Sequence, residues 1–221
     1  MRSRARLVTT LRITEIFKSL QGEASTVGRP TTFVRLTGCP LRCGYCDTEY
    51  AFHGGDVMTL DAVMDRVREL GAAFVTVTGG EPLAQKNCWP LLARLADAGY
   101  RVSLETSGAI DIEGVDERVS VVLDLKTPGS GEVSRNLYSN IPRLRAHDQV
   151  KFVICGRDDY EWARFKLGEF SLADRVSDVL FSPCFGELQP RDLADWIVAD
   201  SLPVRFQIQL HKYLWGDLPG V

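Results

Sequence analysis

Phe74-Val-Thr-Val-Thr78-Gly79-Gly80-Glu81-Pro82, read on to Gly99, decides the fold class. Five β-branched or aromatic residues run straight into two glycines, a carboxylate and a proline. Pro90 then suits the first turn of a helix that carries Leu91, Leu92 and Leu95, and Gly99 closes it. Strand, glycine-rich turn and helix make one βα unit. Upstream, Thr59 can cap a helix with Leu60, Val63, Met64 and Val67 on one face, ending at Gly71. Further upstream, 11–17 and 32–37 alternate apolar and polar residues as strands do. Downstream, strands are expected at 101–105, 119–125, 149–155, 179–181 and 204–208, with helical patterns near 158–167 and 191–199. Alternation of this kind favours a mostly parallel sheet covered by helices. An open doubly wound sheet fits the same pattern. The expectation adopted is an α/β fold, a partial (incomplete) TIM-type barrel of mostly parallel strands with outer helices.

The chain has 221 residues, 45% hydrophobic and 25% charged, as in ordinary globular proteins. One domain over 1–221 is expected, with 1–10 as a ragged N-terminal extension that is basic but lacks a secretory apolar stretch. A net charge of -3 argues against a phosphate-backbone binder, so no nucleic-acid partner is expected. No apolar run reaches the roughly 18 residues of a spanning helix, so no membrane association is expected. Six cysteines without a secretory signal point to a reducing, cytoplasmic setting, where clustered thiols bind metal or do chemistry.

Three of those thiols lie within eight residues in Gly38-Cys39-Pro40-Leu41-Arg42-Cys43-Gly44-Tyr45-Cys46-Asp47, directly after a predicted strand. Three soft ligands so close suit an iron-sulfur cluster or zinc. A closed zinc site wants four ligands, usually as two separated pairs, and Cys88, Cys155 and Cys184 form no such pair. Three thiolates on a four-iron cluster leave one iron with an open position.

CPLRCGYC resembles the cluster loop of the radical S-adenosylmethionine (SAM) superfamily, including the aromatic residue before the third cysteine. The resemblance implies a 4Fe-4S cluster on Cys39, Cys43 and Cys46, with SAM chelating the open iron. An electron then breaks the sulfonium bond to release a 5'-deoxyadenosyl radical. Thr78-Gly79-Gly80-Glu81-Pro82 is similar to the superfamily's second signature, which assigns Gly79, Gly80 and Glu81 to the methionyl end of SAM.

The stretches Phe17-Lys18-Ser19-Leu20-Gln21-Gly22-Glu23, Thr32 to Gly38, Cys46-Asp47-Thr48, GGEPLAQ and Gln209-Leu210-His211-Lys212 resemble the 7-carboxy-7-deazaguanine synthase family. That resemblance implies conversion of 6-carboxy-5,6,7,8-tetrahydropterin to 7-carboxy-7-deazaguanine, with loss of ammonia, on the route to queuosine. It implies Mg2+ at Thr48, substrate contacts from Leu20, Gln21, Gly22, Glu23, Arg35 and Thr78, and SAM contacts from Asp124 and Lys126. Many relatives carry Ser-Pro-Lys where this chain has Asp124-Leu125-Lys126, and only the lysine is shared. The resemblance further implies a homodimer, an electron donor such as flavodoxin or ferredoxin, and a C-terminal segment over the active site. A pterin acid calls for an arginine opposite its carboxylate and for amide or carboxyl groups along its ring edge.

Cys88 and Cys155 read as core thiols, Cys184 as a loop residue able to line the SAM pocket, and His53 as a loop residue. Two other functions fit parts of the pattern. A glycyl-radical-enzyme activase shares the cysteine loop but lacks SLQGE. A non-catalytic metal-binding module would use the thiols structurally.

Overall fold

The computed structural model describes residues 9–216, 218 and 220. β1 (Thr10–Leu20), β2 (Pro30–Leu36) and β3 (Asp56–Thr59) form an antiparallel start, with β1 between the other two. Six more strands add to β2 in parallel: β4 (Phe74–Gly79), β5 (Arg101–Thr106), β6 (Ser120–Asp124), β7 (Gln149–Ile154), β8 (Asp178–Pro183) and β9 (Arg205–Phe206). The sheet order is β3-β1-β2-β4-β5-β6-β7-β8-β9, with β3 and β9 as its two edges, so the barrel is partial as expected.

The helices follow from local chemistry. α1 (Leu60–Leu70) starts where Thr59 Oγ1 accepts from Ala62 N at 3.1 Å and stops at Gly71, whose φ of 67° lies in the left-handed region. α2 (Cys88–Asp97) buries Leu91, Leu92 and Leu95. α3 (Arg157–Glu169), α4 (Leu172–Arg175), α5 (Pro190–Ala199) and α6 (Leu210–Trp215) complete the set. The core lies between sheet and helices, where Leu36, Val77, Leu104, Leu123 and Phe152 are fully buried. Each such side chain contributes about 1.5–3 kcal/mol of transfer free energy.

Three expectations need correction. Residues 1–8 of the expected N-terminal extension lie outside the described residues, and Thr10 already belongs to β1. The βα alternation is not continuous. β5 joins β6 without a helix, and β6 joins β7 through three short 3-10 turns, at Pro128–Ser130, Val133–Arg135 and Tyr138–Arg143. Pro128, Gly129, Gly131 and Pro142 deny that stretch an uninterrupted α-helical hydrogen-bond ladder. Cys155 is not in the core: β7 ends at Ile154, and the thiol lies half-buried beyond it.

Candidate active site

In a parallel α/β sheet the loops after the strands share one end of the molecule. The cysteine loop follows β2, Gly80-Glu81 follows β4, Ser107 follows β5, Lys126 follows β6 and Cys184 follows β8. With Lys151 on β7 and with α6, they border a cavity of about 490 Å³. Cys39, Cys43, Cys46, Thr48, Leu20, Gln21, Gly22, Glu23 and Arg35 all line it. So do Thr78, Gly79, Gly80, Asp124 and Lys126. Glu81 is the one predicted site residue that does not.

The two glycines hold the cysteine loop in place. Gly80 N donates to Leu36 O at 3.2 Å, and Glu81 N donates to Gly38 O at 2.9 Å. A Cβ on Gly80 would sit 2.6 Å from Cys39 Cβ, and one on Gly79 (φ 154°) would sit 2.8 Å from Leu36 N. Only glycine lets the strand end approach so closely. Arg42 covers Phe52 at 4.2 Å and donates to the Cys39 carbonyl at 2.8 Å, and Gly44 N donates to Ser130 O at 3.1 Å.

All three loop thiols are partly exposed and unpaired. Burial raises each above the ordinary thiol value, Cys43 to about 11; neighbouring thiols add to the rise at Cys39 and Cys43, and the Asp47 and Glu49 carboxylates add to it at Cys46. Lys126 acts in the opposite direction on all three, so its cation favours the thiolates that a cluster needs. The three sulfurs are not all within 4.8 Å of one another. A tetrahedral zinc ion would need sulfur-sulfur edges of roughly 3.8 Å, so the wider spread fits a cluster better than zinc.

Lys126 is buried, 2.9 Å from Asp124 Oδ2 and 5.9 Å from the Tyr45 ring. Burial alone would lower its pKa, but Asp124 and Cys43 outweigh burial and hold it above the ordinary ammonium value. Asp124 Oδ1 and Tyr45 Oη are buried without a hydrogen-bond partner. Buried polar atoms are ordinarily satisfied, so two orphans at the wall of one cavity fit a polar ligand such as SAM.

Glu81 has a different task. Its carboxylate is fully buried and accepts from Leu83 N at 2.9 Å, from Thr106 Oγ1 at 2.9 Å, from Ser107 N at 2.7 Å and from Ser107 Oγ. It ties the turn after β4 to the end of β5, and so positions Gly79 and Gly80.

The predicted substrate residues converge on a carboxylate that the sequence reading missed. Glu105 accepts from Gln21 Nε2 at 3.2 Å and from Thr78 Oγ1 at 3.0 Å. Burial raises its pKa, and Lys151 offsets part of that rise. Lys151, also missed, pairs with Glu23 at 2.5 Å and reaches Asp124 at 4.0 Å. Arg35 binds Glu15 through Nε at 2.7 Å, leaving its two terminal nitrogens for other partners.

α6 closes one side. Leu210 N donates to Gly22 O at 3.0 Å, and a Cβ on Gly22 would run into the His211 imidazole. Lys212 pairs with Asp47 at 3.0 Å, and Gln209 donates to the same carboxylate at 3.2 Å. Thr48 donates its proton to Asp47 Oδ1 at 2.8 Å, which leaves its oxygen lone pairs available to a hard cation. Cys88 is buried in the core.

Comparison with known proteins agrees with this geometry. Residues 33–128 match the Radical SAM superfamily. The chain is 42% identical over 219 residues to a 7-carboxy-7-deazaguanine synthase of Koribacter versatilis, a match covering 93% of this chain and 97% of that one. It is 44% identical over 215 residues to the same-named protein of Chlorobaculum tepidum, covering 96% and 97%. The crystal structure of QueE from Escherichia coli superposes with a TM-score of 0.75 at 23% identity, over 91% of this chain and 95% of that one, a likeness of fold. SuiB of Streptococcus suis shares the fold more distantly, with a TM-score of 0.57. Sequence identity of this extent, over nearly the full length of both chains, joins a cavity that gathers every loop the signatures name: the chain belongs to the 7-carboxy-7-deazaguanine synthase family, within the radical SAM superfamily.

Proposed function

We propose that the protein converts 6-carboxy-5,6,7,8-tetrahydropterin to 7-carboxy-7-deazaguanine with release of ammonia, in the formation of queuosine and other 7-deazapurines. Substrate and product differ by that ammonia, so the conversion needs no net oxidant. The observation that carries this reading is the polar row of Gln21, Thr78 and Glu105 in the same cavity as Arg35 and the cysteine loop. A carboxylate at Glu105 can accept from the N–H groups of a pterin ring edge, and Gln21, whose amide nitrogen is held by Thr76 and Glu105, offers a remaining oxygen lone pair beside it. Arg35, steadied by Glu15, offers a planar two-nitrogen fork to the pterin carboxylate. Leu20 and Gly22 shape the floor, and Glu23 keeps Lys151 in place.

Cys39, Cys43 and Cys46 would hold the 4Fe-4S cluster, which together with SAM supplies the one-electron cleavage that starts the reaction. The backbone of Gly79 and Gly80, with Asp124 and Lys126, would hold SAM, and Glu81 would fix that backbone. Thr48 would give one oxygen ligand to Mg2+, which keeps several waters and takes its other oxygens from substrate. α6 limits water access from one side. The same reading takes 1–221 as one radical SAM domain, acting as a cytoplasmic homodimer and reduced by flavodoxin or ferredoxin.

The test is anaerobic reconstitution with iron and sulfide, then incubation with SAM, Mg2+, reductant and the tetrahydropterin acid, followed by mass spectrometry. The carboxylated deazapurine is the expected product. Cleavage of SAM with no deazapurine would reject the substrate and return the glycyl-radical activase reading.

A further inference from the structure

Cys155 and Cys184 hold neither the cluster nor substrate in the function proposed above, although Cys184 borders the main cavity. β7 and β8 run parallel with Ile154 opposite Pro183, so the next residue of each strand is Cys155 and Cys184, side by side. Cys184 N donates to Ile154 O at 2.8 Å, which fixes that register past the strand ends. The chain then turns sharply, because both Glu187 N (3.2 Å) and Leu188 N (3.1 Å) donate to Cys184 O. The turn carries the Glu187 carboxylate back over the two thiols. The two sulfurs and a Glu187 oxygen all lie within 4.8 Å of one another, and among the described residues they are the one such group of three.

We propose that Cys155, Cys184 and Glu187 form a second metal site, for a single thiophilic divalent cation of the zinc type. Two thiolates and a carboxylate match zinc in softness and number, leaving a fourth position for water. An ion about 2.3 Å from each sulfur and about 2.1 Å from the oxygen spaces its donors roughly 3.5–3.8 Å apart, a separation that falls inside the 4.8 Å within which the three donors lie here. A cubane needs its thiolates farther apart. A disulfide would leave the carboxylate brought over both sulfurs without a role. Cys184 is nearly fully buried and Cys155 half-buried, so the two thiols are shielded, while the exposed Glu187 closes the site on the solvent side. Binding replaces the two thiol protons, which pass to solvent, and changes no oxidation state. Cys184 also lines the main cavity, so the ion would pin the ends of β7 and β8 where they form its wall.

The test uses cluster-loaded holoenzyme, in which the loop thiols are already occupied, incubated with zinc chloride and then desalted. About one zinc per chain should remain, and the zinc absorption edge should show two sulfur neighbours at about 2.3 Å with oxygen completing the shell. Cys155→Ser combined with Cys184→Ser should abolish retention, and Glu187→Gln should weaken it. In the unaltered protein, zinc should protect Cys155 and Cys184 from alkylation, a readout independent of any variant's folding. The proposal is overturned if no zinc survives desalting, if retained zinc has three sulfur neighbours and displaces iron from the loop, or if the double serine variant keeps its zinc. A Cys155–Cys184 disulfide in anaerobically prepared protein would overturn it equally.

Discussion

Replacing Glu81 by glutamine separates a positioning role from direct SAM contact. The side chain keeps its shape, but one of the two acceptor oxygens becomes an amide donor. If the amide nitrogen takes the Oε1 place, Leu83 N–H loses its acceptor, and if it takes the Oε2 place, Ser107 N–H does. Either way one buried backbone donor is orphaned, at about 1–3 kcal/mol. The remaining bonds lose their charge assistance, roughly another 1–2 kcal/mol, and relief from burying a charge offsets part of this. The expected net loss is about 2–4 kcal/mol, which for a chain of this size lowers the melting temperature by roughly 5–15 °C. Thermal unfolding by circular dichroism reads the first quantity, and calorimetric titration of SAM into cluster-loaded protein reads the second. A Glu81→Gln protein that melts with wild type but binds SAM poorly refutes the reasoning, because the carboxylate would then be touching the cofactor itself.

Gly22→Ala drives a methyl group into the His211 imidazole, so α6 should detach at a cost of about 1–3 kcal/mol, read as faster amide exchange over 210–215. Arg35→Lys keeps the charge but loses the two-nitrogen fork beyond Glu15, and kcat/KM for the pterin acid should fall roughly tenfold or more, in steady-state kinetics. Thr59→Ala removes the acceptor for Ala62 N at the start of α1 and should cost about 1 kcal/mol in urea unfolding, with the slope unchanged. Glu105 has a pKa raised by burial, so the folded state holds its proton more tightly than the unfolded chain does. Wild-type stability should therefore decline relative to Glu105→Gln as pH climbs from the ordinary carboxylate value through the raised one, and urea midpoints that keep a constant gap between pH 4 and pH 8 would contradict the burial.

The strands and long helices were legible because their residues obey one period each. Phe74–Thr78 is β-branched or aromatic throughout, and Leu91, Leu92 and Leu95 follow the helical spacing. The cysteine loop was legible because three identical soft ligands within eight residues have few other uses. Glu105 was not legible. On β5 the core face is Val102, Leu104 and Thr106, and Glu105 falls on the alternate face with Ser103. Alternation labels that face polar and, for a half-covered sheet, solvent-facing. A partial barrel turns it inward, so the residues that read as water-facing line the cavity, and closure depends on twist that no local window records. The helical form of α6 was hidden, because its six residues lack a capping side chain; the family resemblance alone put the C-terminal segment over the site, where its seat depends on Gly22, far away in sequence.

Glu81 marks the boundary between what a signature locates and what it explains. The GGEP stretch pointed to the right strand end, yet the partners of its carboxylate are Thr106 and Ser107, contributed by the next strand. Gly79, in turn, is required by the Leu36 backbone beside it, and Gly80 by Gly38 and Cys39. Cysteine loop, glycine pair and β5 end are therefore one packed unit, in which neither backbone fits without the other. A substitution at Gly80 should consequently disturb the cysteine loop as directly as one at Cys39, because the added Cβ would have to occupy the space that the Cys39 side chain already fills.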